Sequence, residues 1–164
     1  MSELIKISFF EKREEIDQNE LKKIIIDKVK RVSAGIQRMK EINWESEGSA
    51  MVFDKWIRNT HYKLEIRLNE QSKKTDSLVL WYNNYDENEI IRKFQLGFVK
   101  DNGTLIYGFV INNNVVVKIY HQDVEKFFDV SVRELKLDTL AIKDLVRKLP
   151  GFTEKLLELP IKIE

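Results

Sequence analysis

Cysteine is absent from this chain, and histidine and proline each occur only twice. Without cysteine, disulfides, thiol nucleophiles and zinc–thiolate sites are excluded, and the absence fits a reducing compartment, so we expect a cytoplasmic protein. The six glycines form neither a G-x-G-x-x-G nor a G-x-x-x-x-G-K pattern, and the chain contains no G-x-S-x-G or H-E-x-x-H motif. The sequence therefore lacks the familiar nucleotide-binding, serine-hydrolase and zincin motifs, and we expect no cofactor.

Long apolar runs and a strong charge of one sign are missing too. No apolar run approaches the roughly 20 residues that cross a bilayer, and the N-terminus does not have the pattern of a signal peptide. We therefore expect no membrane partner. The net charge is only +1, from 28 basic and 27 acidic side chains, whereas dedicated nucleic-acid-binding domains usually have a larger basic excess.

What the sequence does have is the composition of a globular protein. Of the 164 residues, 43% are hydrophobic and 34% are charged, a balance that argues against disorder. No repeat, low-complexity tract or Pro/Gly/Ser-rich linker divides the chain. We predict a single domain over residues 1–164, which is long enough to bury a sizeable core.

Hydrophobic periodicity predicts an α+β fold. Residues 21–39 place apolar side chains at helical spacing, after a capping pattern formed by Asp17 and Glu20. Residues 62–120 alternate or run apolar and are interrupted by turn signals such as Asn102-Gly103. We predict an antiparallel sheet or partly open barrel of about five to six strands, with a meander at 62–120, an N-terminal helix and C-terminal helices.

The segments on either side of this meander are harder to assign. Residues 4–10 fit either a short strand or a helical turn, and Gly48 predicts a turn between two extended pieces. Residues 130–137 fit an extended segment. A helix at 139–149 is predicted to end at Pro150, because proline lacks the N–H that continues a helix, and a separate last helical turn through Leu156 and Leu157 is predicted to follow. The alternation at 161–163 fits a terminal edge strand.

Charge is distributed unevenly along the chain. Residues 22–74 contain 13 basic and 7 acidic side chains, whereas the remainder contains 15 and 20. Cations on or near the first helix are candidates to contact nucleic-acid phosphates, because their binding would release counterions; they are Lys22, Lys23, Lys30, Arg31, Arg38 and Lys40. The alternative is a solvated helix face, on which Asp27 pairs at helical spacing with Lys23 and Arg31.

Three aromatic residues stand out from those in apolar strands. Tyr85 lies in a polar loop, where an aromatic side chain has little reason to be unless it folds back or touches a partner. Trp44 and Trp56 flank the basic stretch and are candidates for stacking on bases. The alternative for both tryptophans is an ordinary role in the core.

Two groups of polar residues fit metal chemistry. His121, Asp123 and Glu125 lie within five residues of each other and would suit a divalent cation, although they equally suit the cap of the helix that follows. A metal-dependent nuclease needs acids on neighbouring strands and an acid-x-Lys triplet. Asp123, Glu134 and Lys136 have that composition, which also arises by chance in a chain rich in acids and lysines.

The sequence favours a non-catalytic binding module whose partner is a nucleic acid or another protein. A metal-dependent nuclease is one alternative. A carrier of an apolar small molecule, held between the sheet and the helix at 139–149, is another. The three hypotheses differ in what they require: cations gathered on one surface, acids converging on one point, or an internal cavity of at least about 300 Å³.

Overall fold

A computed structural model describes residues 4–9, 17–135 and 137–163, and it confirms the predicted α+β class. The strands are β1 (Leu4–Phe9), β2 (Glu45–Glu47), β3 (Ala50–Ile57), β4 (Thr60–Leu68), β5 (Thr75–Asn84), β6 (Lys93–Asp101), β7 (Thr104–Ile111), β8 (Val115–Tyr120) and β9 (Ile161–Ile163). The helices are α1 (Gln18–Gln37), α2 (Gln122–Phe127) and α3 (Thr139–Leu157), and a π-helical turn (Phe128–Val132) follows α2 directly.

All nine described strands form one open sheet in the order β2-β3-β4-β5-β6-β7-β8-β1-β9. Strands β2 to β8 are an antiparallel meander, β1 pairs antiparallel with β8, and β9 lies parallel to β1. The sheet is larger than the five to six strands predicted. Strands β2 and β3 are the two extended pieces predicted on either side of Gly48. The end of β3 was not predictable, because its last residues are exposed regardless of face, so the alternation that marks a half-buried strand is lost.

The predicted turns are present and have the backbone conformation that their residues allow. Asn102 and Gly103, between β6 and β7, have φ of 51° and 80°, as a tight hairpin turn requires. Asn112 and Asn113, between β7 and β8, also have positive φ, at 50° and 64°. Gly48, at φ 63°, makes the turn between β2 and β3. These turns fix the register of the meander.

The core lies between one face of the sheet, which we call the inner face, and the helices. Helix α1 begins as predicted, with the Glu20 N–H donating to the Asp17 carboxylate at 3.2 Å. It buries five apolar side chains against the sheet: Leu21, Ile25, Val29, Val32 and Ile36. On α3 the Thr153 hydroxyl hydrogen-bonds the buried Tyr107 hydroxyl of β7 at 2.9 Å. No helix among the described residues is long and apolar enough to cross a membrane.

Aromatic rings fill the space between α3 and the inner face of the sheet. Phe98 stacks on Tyr107 with ring centroids 4.6 Å apart and on Phe127 at 5.5 Å. Phe152 of α3 stacks on Phe127 at 4.1 Å. These rings lie beside the second half of α3, whereas the small-molecule carrier hypothesis needs a cavity beside residues 139–149 and stays a prediction.

Two local predictions were wrong. Helix α3 continues through Pro150 to Leu157, because the residues beyond the proline are held by burial: Thr153, Leu156 and Leu157 are all buried. Burial of this kind outweighs the single helical hydrogen bond that a proline removes. Residues 128–132 form the π-helical turn rather than an extended segment, and the Arg133 N–H donates to the Phe128 carbonyl at 2.7 Å.

Candidate functional site

The described helices pack on the inner face, so the opposite, outer face of the sheet carries the side chains that alternate with the core. On β3, β4 and β5 the register aligns these outward side chains in cross-strand rows: Trp56, His61 and Asn83 in one, and Asp54, Lys63 and Trp81 in the next. The first row ends at the corner of the sheet where the β3–β4 turn meets the loop between β5 and β6.

Four side chains stack at this corner, and we call them the aromatic corner: Trp56, His61, Tyr85 and Arg92. The Trp56 and His61 rings are 4.7 Å apart at 11°, and the Trp56 and Tyr85 rings are 5.6 Å apart at 19°. The Arg92 guanidinium carbon lies 5.3 Å from the centre of the Tyr85 ring. Trp56 is 54% exposed and Tyr85 is 47% exposed, so about half of each large side chain is in contact with solvent.

Hydrogen bonds join the two loops that carry the aromatic corner. The Tyr85 N–H donates to the Asn59 carbonyl at 2.9 Å, and the Asn59 amide donates to the Asp86 carboxylate at 3.0 Å. His61 Nε2 lies 2.5 Å from Asp54 Oδ1, which orients the ring that supports Trp56. The polar residues around Tyr85 thus hold the loop in place and leave the aromatic ring outside.

Cations outnumber acids on the strands and turns around the aromatic corner. Five basic side chains compare with four acidic ones there: Lys55, Arg58, Lys63, Arg92 and Lys93 against Asp54, Asp86, Glu87 and Glu89. Of these acids, Glu87 pairs with Lys28 and Arg31 of α1. Within the part of the chain that the structure describes, no acidic group lies within ion-pair distance of Lys55, Arg58 or Lys93. The Lys63 ammonium lies 5.0 Å from the centre of the Trp81 ring. The corner therefore combines exposed rings with an excess of positive charge.

Of the six cations predicted from the sequence to bind nucleic acid, two form ion pairs in the structure. Lys30 pairs with Glu154 of α3 at 3.1 Å, and Arg31 pairs with Asp27 at 2.8 Å and Glu87 at 3.6 Å. The other four have no acidic group within ion-pair distance among the described residues; they are Lys22, Lys23, Arg38 and Lys40. Acids from α1, α3 and the β5–β6 loop thus offset part of this set.

The residues considered for metal binding have structural partners. His121 Nδ1 accepts the Asp123 N–H at 3.0 Å and so caps α2. The Asp123 carboxylate pairs with Lys155 at 3.1 Å, a contact that holds its pKa below the usual range. Glu125 is exposed. Among the described residues, no three His, Asp or Glu side chains come close enough together to hold a metal ion.

The nuclease residues are held by different contacts. Glu134 pairs with Lys74 at 2.8 Å, whereas Asp123 pairs with Lys155. Lys136 lies outside the described residues.

An open depression of about 440 Å³ lies at the other end of β4 from the aromatic corner, and six residues line it: Ser49, Leu68, Asn69, Glu70, Gln71 and Asp76.

Sequence reasoning found part of the aromatic corner. It singled out Tyr85 by its polar surroundings and Trp56 by its basic neighbours. It missed His61 and Arg92, because both join the corner only through strand register and loop geometry. Trp44, the third aromatic singled out, is half-buried and packs against the core.

Comparison of the chain with protein-family models, curated proteins and solved structures finds no match.

Proposed function

We propose that this protein binds single-stranded nucleic acid through the aromatic corner. The observation that carries the proposal is the row of stacked side chains in which Trp56 and Tyr85 remain about half exposed. Large exposed rings beside unpaired cations are what single-strand-binding surfaces use, since every base has a face that can stack on them. The proposal places the main contact on the sheet rather than on α1.

Each part of the aromatic corner would have a distinct role. Trp56 and Tyr85 would stack on successive unpaired bases, a contact worth about 1–3 kcal/mol per base. Arg58, Arg92 and Lys93 would contact phosphates and make the affinity depend on salt. A duplex hides the faces of its bases, so the rings would favour single strands over double strands.

The test is the affinity for a labelled oligonucleotide of about 12 bases, in DNA and RNA forms, measured by fluorescence anisotropy at about 50 mM salt and above. We expect Trp56→Ala and Tyr85→Ala each to weaken binding roughly tenfold, because each loses stacking worth about 1.4 kcal/mol. Leu140→Ala is the matched control, since Leu140 is an exposed apolar side chain on α3. This control should bind as the unmodified protein does.

Two results would count against the proposal: no affinity for either oligonucleotide, or equal affinity in the unmodified protein and both aromatic variants. A Lys23→Gln/Lys40→Gln variant separates the two surfaces. If it weakens binding while the aromatic variants do not, the contact lies on or near α1, as the sequence alone suggested.

A protein partner is the second candidate, because tryptophan, tyrosine and arginine are the residue types that dominate protein–protein hot spots. It applies if the protein has no affinity for nucleic acid. A photo-crosslinker in place of Tyr85 should then give one discrete adduct in cells, and Trp56→Ala should abolish it. The identified partner, once purified, should bind Trp56→Ala at least roughly tenfold more weakly.

A further inference from the structure

Lys28 of α1 is a charged residue inside the core. Its side chain is 1% exposed, and its ammonium is in direct contact with the carboxylate of Glu87, which is 12% exposed. Burial, and then the nearby Arg31 cation, lower the pKa of Lys28 to about 8, whereas an adjacent carboxylate favours the charged ammonium. Removing Glu87 would therefore leave the Lys28 ammonium buried without the carboxylate that it contacts.

Glu87 lies in the loop between β5 and β6 and connects it to several elements. Its carboxylate accepts a hydrogen bond from the Tyr82 hydroxyl at 3.3 Å and lies 3.6 Å from the Arg31 guanidinium. Its carbonyl accepts a hydrogen bond from Arg92 Nη2 at 3.4 Å. Arg92 in turn lies over the ring of Tyr85. A continuous set of contacts thus runs from the buried Lys28 to the exposed aromatic corner.

Stability alone does not explain an ion pair at this place. Apolar side chains of similar volume often replace a buried ion pair with no loss of stability, because desolvation of the charges offsets their attraction. What apolar side chains do not supply is direction, since hydrophobic contacts fix neither the orientation nor the register of a loop. A contact between two charged groups has a direction, and the one between Lys28 and Glu87 joins α1 to this loop.

We propose that Lys28 is a positioning residue, which holds the β5–β6 loop against α1 through Glu87 and so fixes Tyr85 and Arg92 in the aromatic corner. The link to binding rests on the proposed function. The claim that Lys28 orders the loop stands on the contacts alone. The two claims therefore need separate measurements.

The test replaces both charges at once with Lys28→Met/Glu87→Leu, so that no unpaired charge remains in the core. We expect cooperative unfolding in urea to be retained. Amide hydrogen exchange at residues 84–92, including the Tyr85 N–H that is bonded to Asn59, should become roughly tenfold faster. Oligonucleotide affinity should fall by roughly fivefold or more, because the loop must be ordered at the moment of binding.

The matched control is Lys148→Met/Asp144→Leu, which removes an exposed ion pair within α3. It should change neither the exchange of the loop nor the affinity. If the double variant at 28 and 87 does not fold, Lys28→Gln/Glu87→Gln takes its place. This pair keeps a hydrogen bond across the contact, and it should speed exchange of the loop by a smaller factor.

The outcomes separate the two proposals. Unchanged exchange at residues 84–92 in the folded double variant would overturn the positioning role. Faster exchange with unchanged affinity would show that ordering the loop does not serve binding, and this too overturns the proposal. If the unmodified protein has no affinity for the oligonucleotides, the proposed function fails, while the exchange measurement still decides whether Lys28 orders the loop.

Discussion

Gly35 lies on the buried side of α1, where Tyr62 of β4 crosses it. A Cβ atom at this position would come 2.2 Å from the Tyr62 hydroxyl oxygen and 2.5 Å from two ring carbons. Gly35→Ala should therefore destabilise the protein, since overpacking typically costs about 1–3 kcal/mol and the gain in helix propensity returns only about 1 kcal/mol. We expect a net loss of up to about 2 kcal/mol in the free energy of unfolding, measured in urea.

Gly151 provides the control for this prediction, because it too lies inside a helix, α3. A Cβ atom there meets nothing within 4 Å. Gly151→Ala should stabilise the protein by up to about 1 kcal/mol through helix propensity alone. If Gly35→Ala stabilises the protein as Gly151→Ala does, Tyr62 does not need the space that Gly35 leaves.

Asp101 on β6 predicts a pH dependence of stability. Hydrogen bonds from Lys118 and then Tyr120 lower its pKa below the usual value of 3.8. The folded state therefore binds this proton less readily than the unfolded state, so the contribution to stability is present above about pH 4 and is lost as the pH falls through the folded-state pKa. Asp101→Asn should be less stable than the unmodified protein at pH 7.

The difference between the two proteins should shrink as the pH falls below about 4, because the unmodified side chain also becomes neutral there. Urea unfolding at a series of pH values measures it. A difference that is constant from neutral pH to acid would mean that Asp101 acts through its shape rather than its charge.

At the scale of elements, a strand or helix was predictable where one of its faces is exposed to solvent and the other is buried. The β6–β7–β8 meander alternates clearly, and its asparagine-rich turns require positive φ, so local chemistry fixes both strands and register. The helix over residues 21–39 was predictable for a similar reason, since α1 has one buried stripe. In these elements the local preference and the tertiary environment agree.

The elements whose bounds escaped prediction are those whose environment comes from distant parts of the chain. Strand β2 pairs with only Ala50–Val52, so the rest of β3 lies at the edge of the described sheet and carries the charges of Asp54 and Lys55. Charges on an edge strand discourage pairing with another chain, but they also hide the strand pattern. In α3, burial beyond Pro150 overrides a local signal that usually ends a helix.

At the scale of the whole molecule, the candidate site was only partly predictable, because its residues meet across the sheet. Composition marked Tyr85 as unusual, but its neighbour Trp56 is 29 residues earlier in the chain, and no spacing rule relates them. Lys28 looked like one more cation on a helix, and only the folded loop shows that it is buried. Sequence pattern shows which residues are out of place, and the tertiary fold shows which of them lie together.

The same long-range connections predict an order of folding. Ile7 of β1 pairs with Val117, 110 residues later in the chain, whereas Leu96 of β6 pairs with Leu80 and Phe109, 16 and 13 residues away. Local pairs lose less entropy on closing, so the meander should form in the transition state and β1 should join later. Both side chains are buried, and Ile7→Ala and Leu96→Ala should each cost about 2–5 kcal/mol.

The kinetic effects of these two substitutions should differ. The kinetic φ-value is the change in the free energy of the folding barrier divided by the change in stability. Ile7→Ala should mainly speed unfolding, with a φ-value near 0, whereas Leu96→Ala should mainly slow folding, with a φ-value of about 0.5 or more. Stopped-flow folding and unfolding rates across a range of urea concentrations measure both values. A higher φ at Ile7 than at Leu96 would mean that β1 and β8 pair first, and that the sheet grows inward from the strand that joins the two ends of the fold.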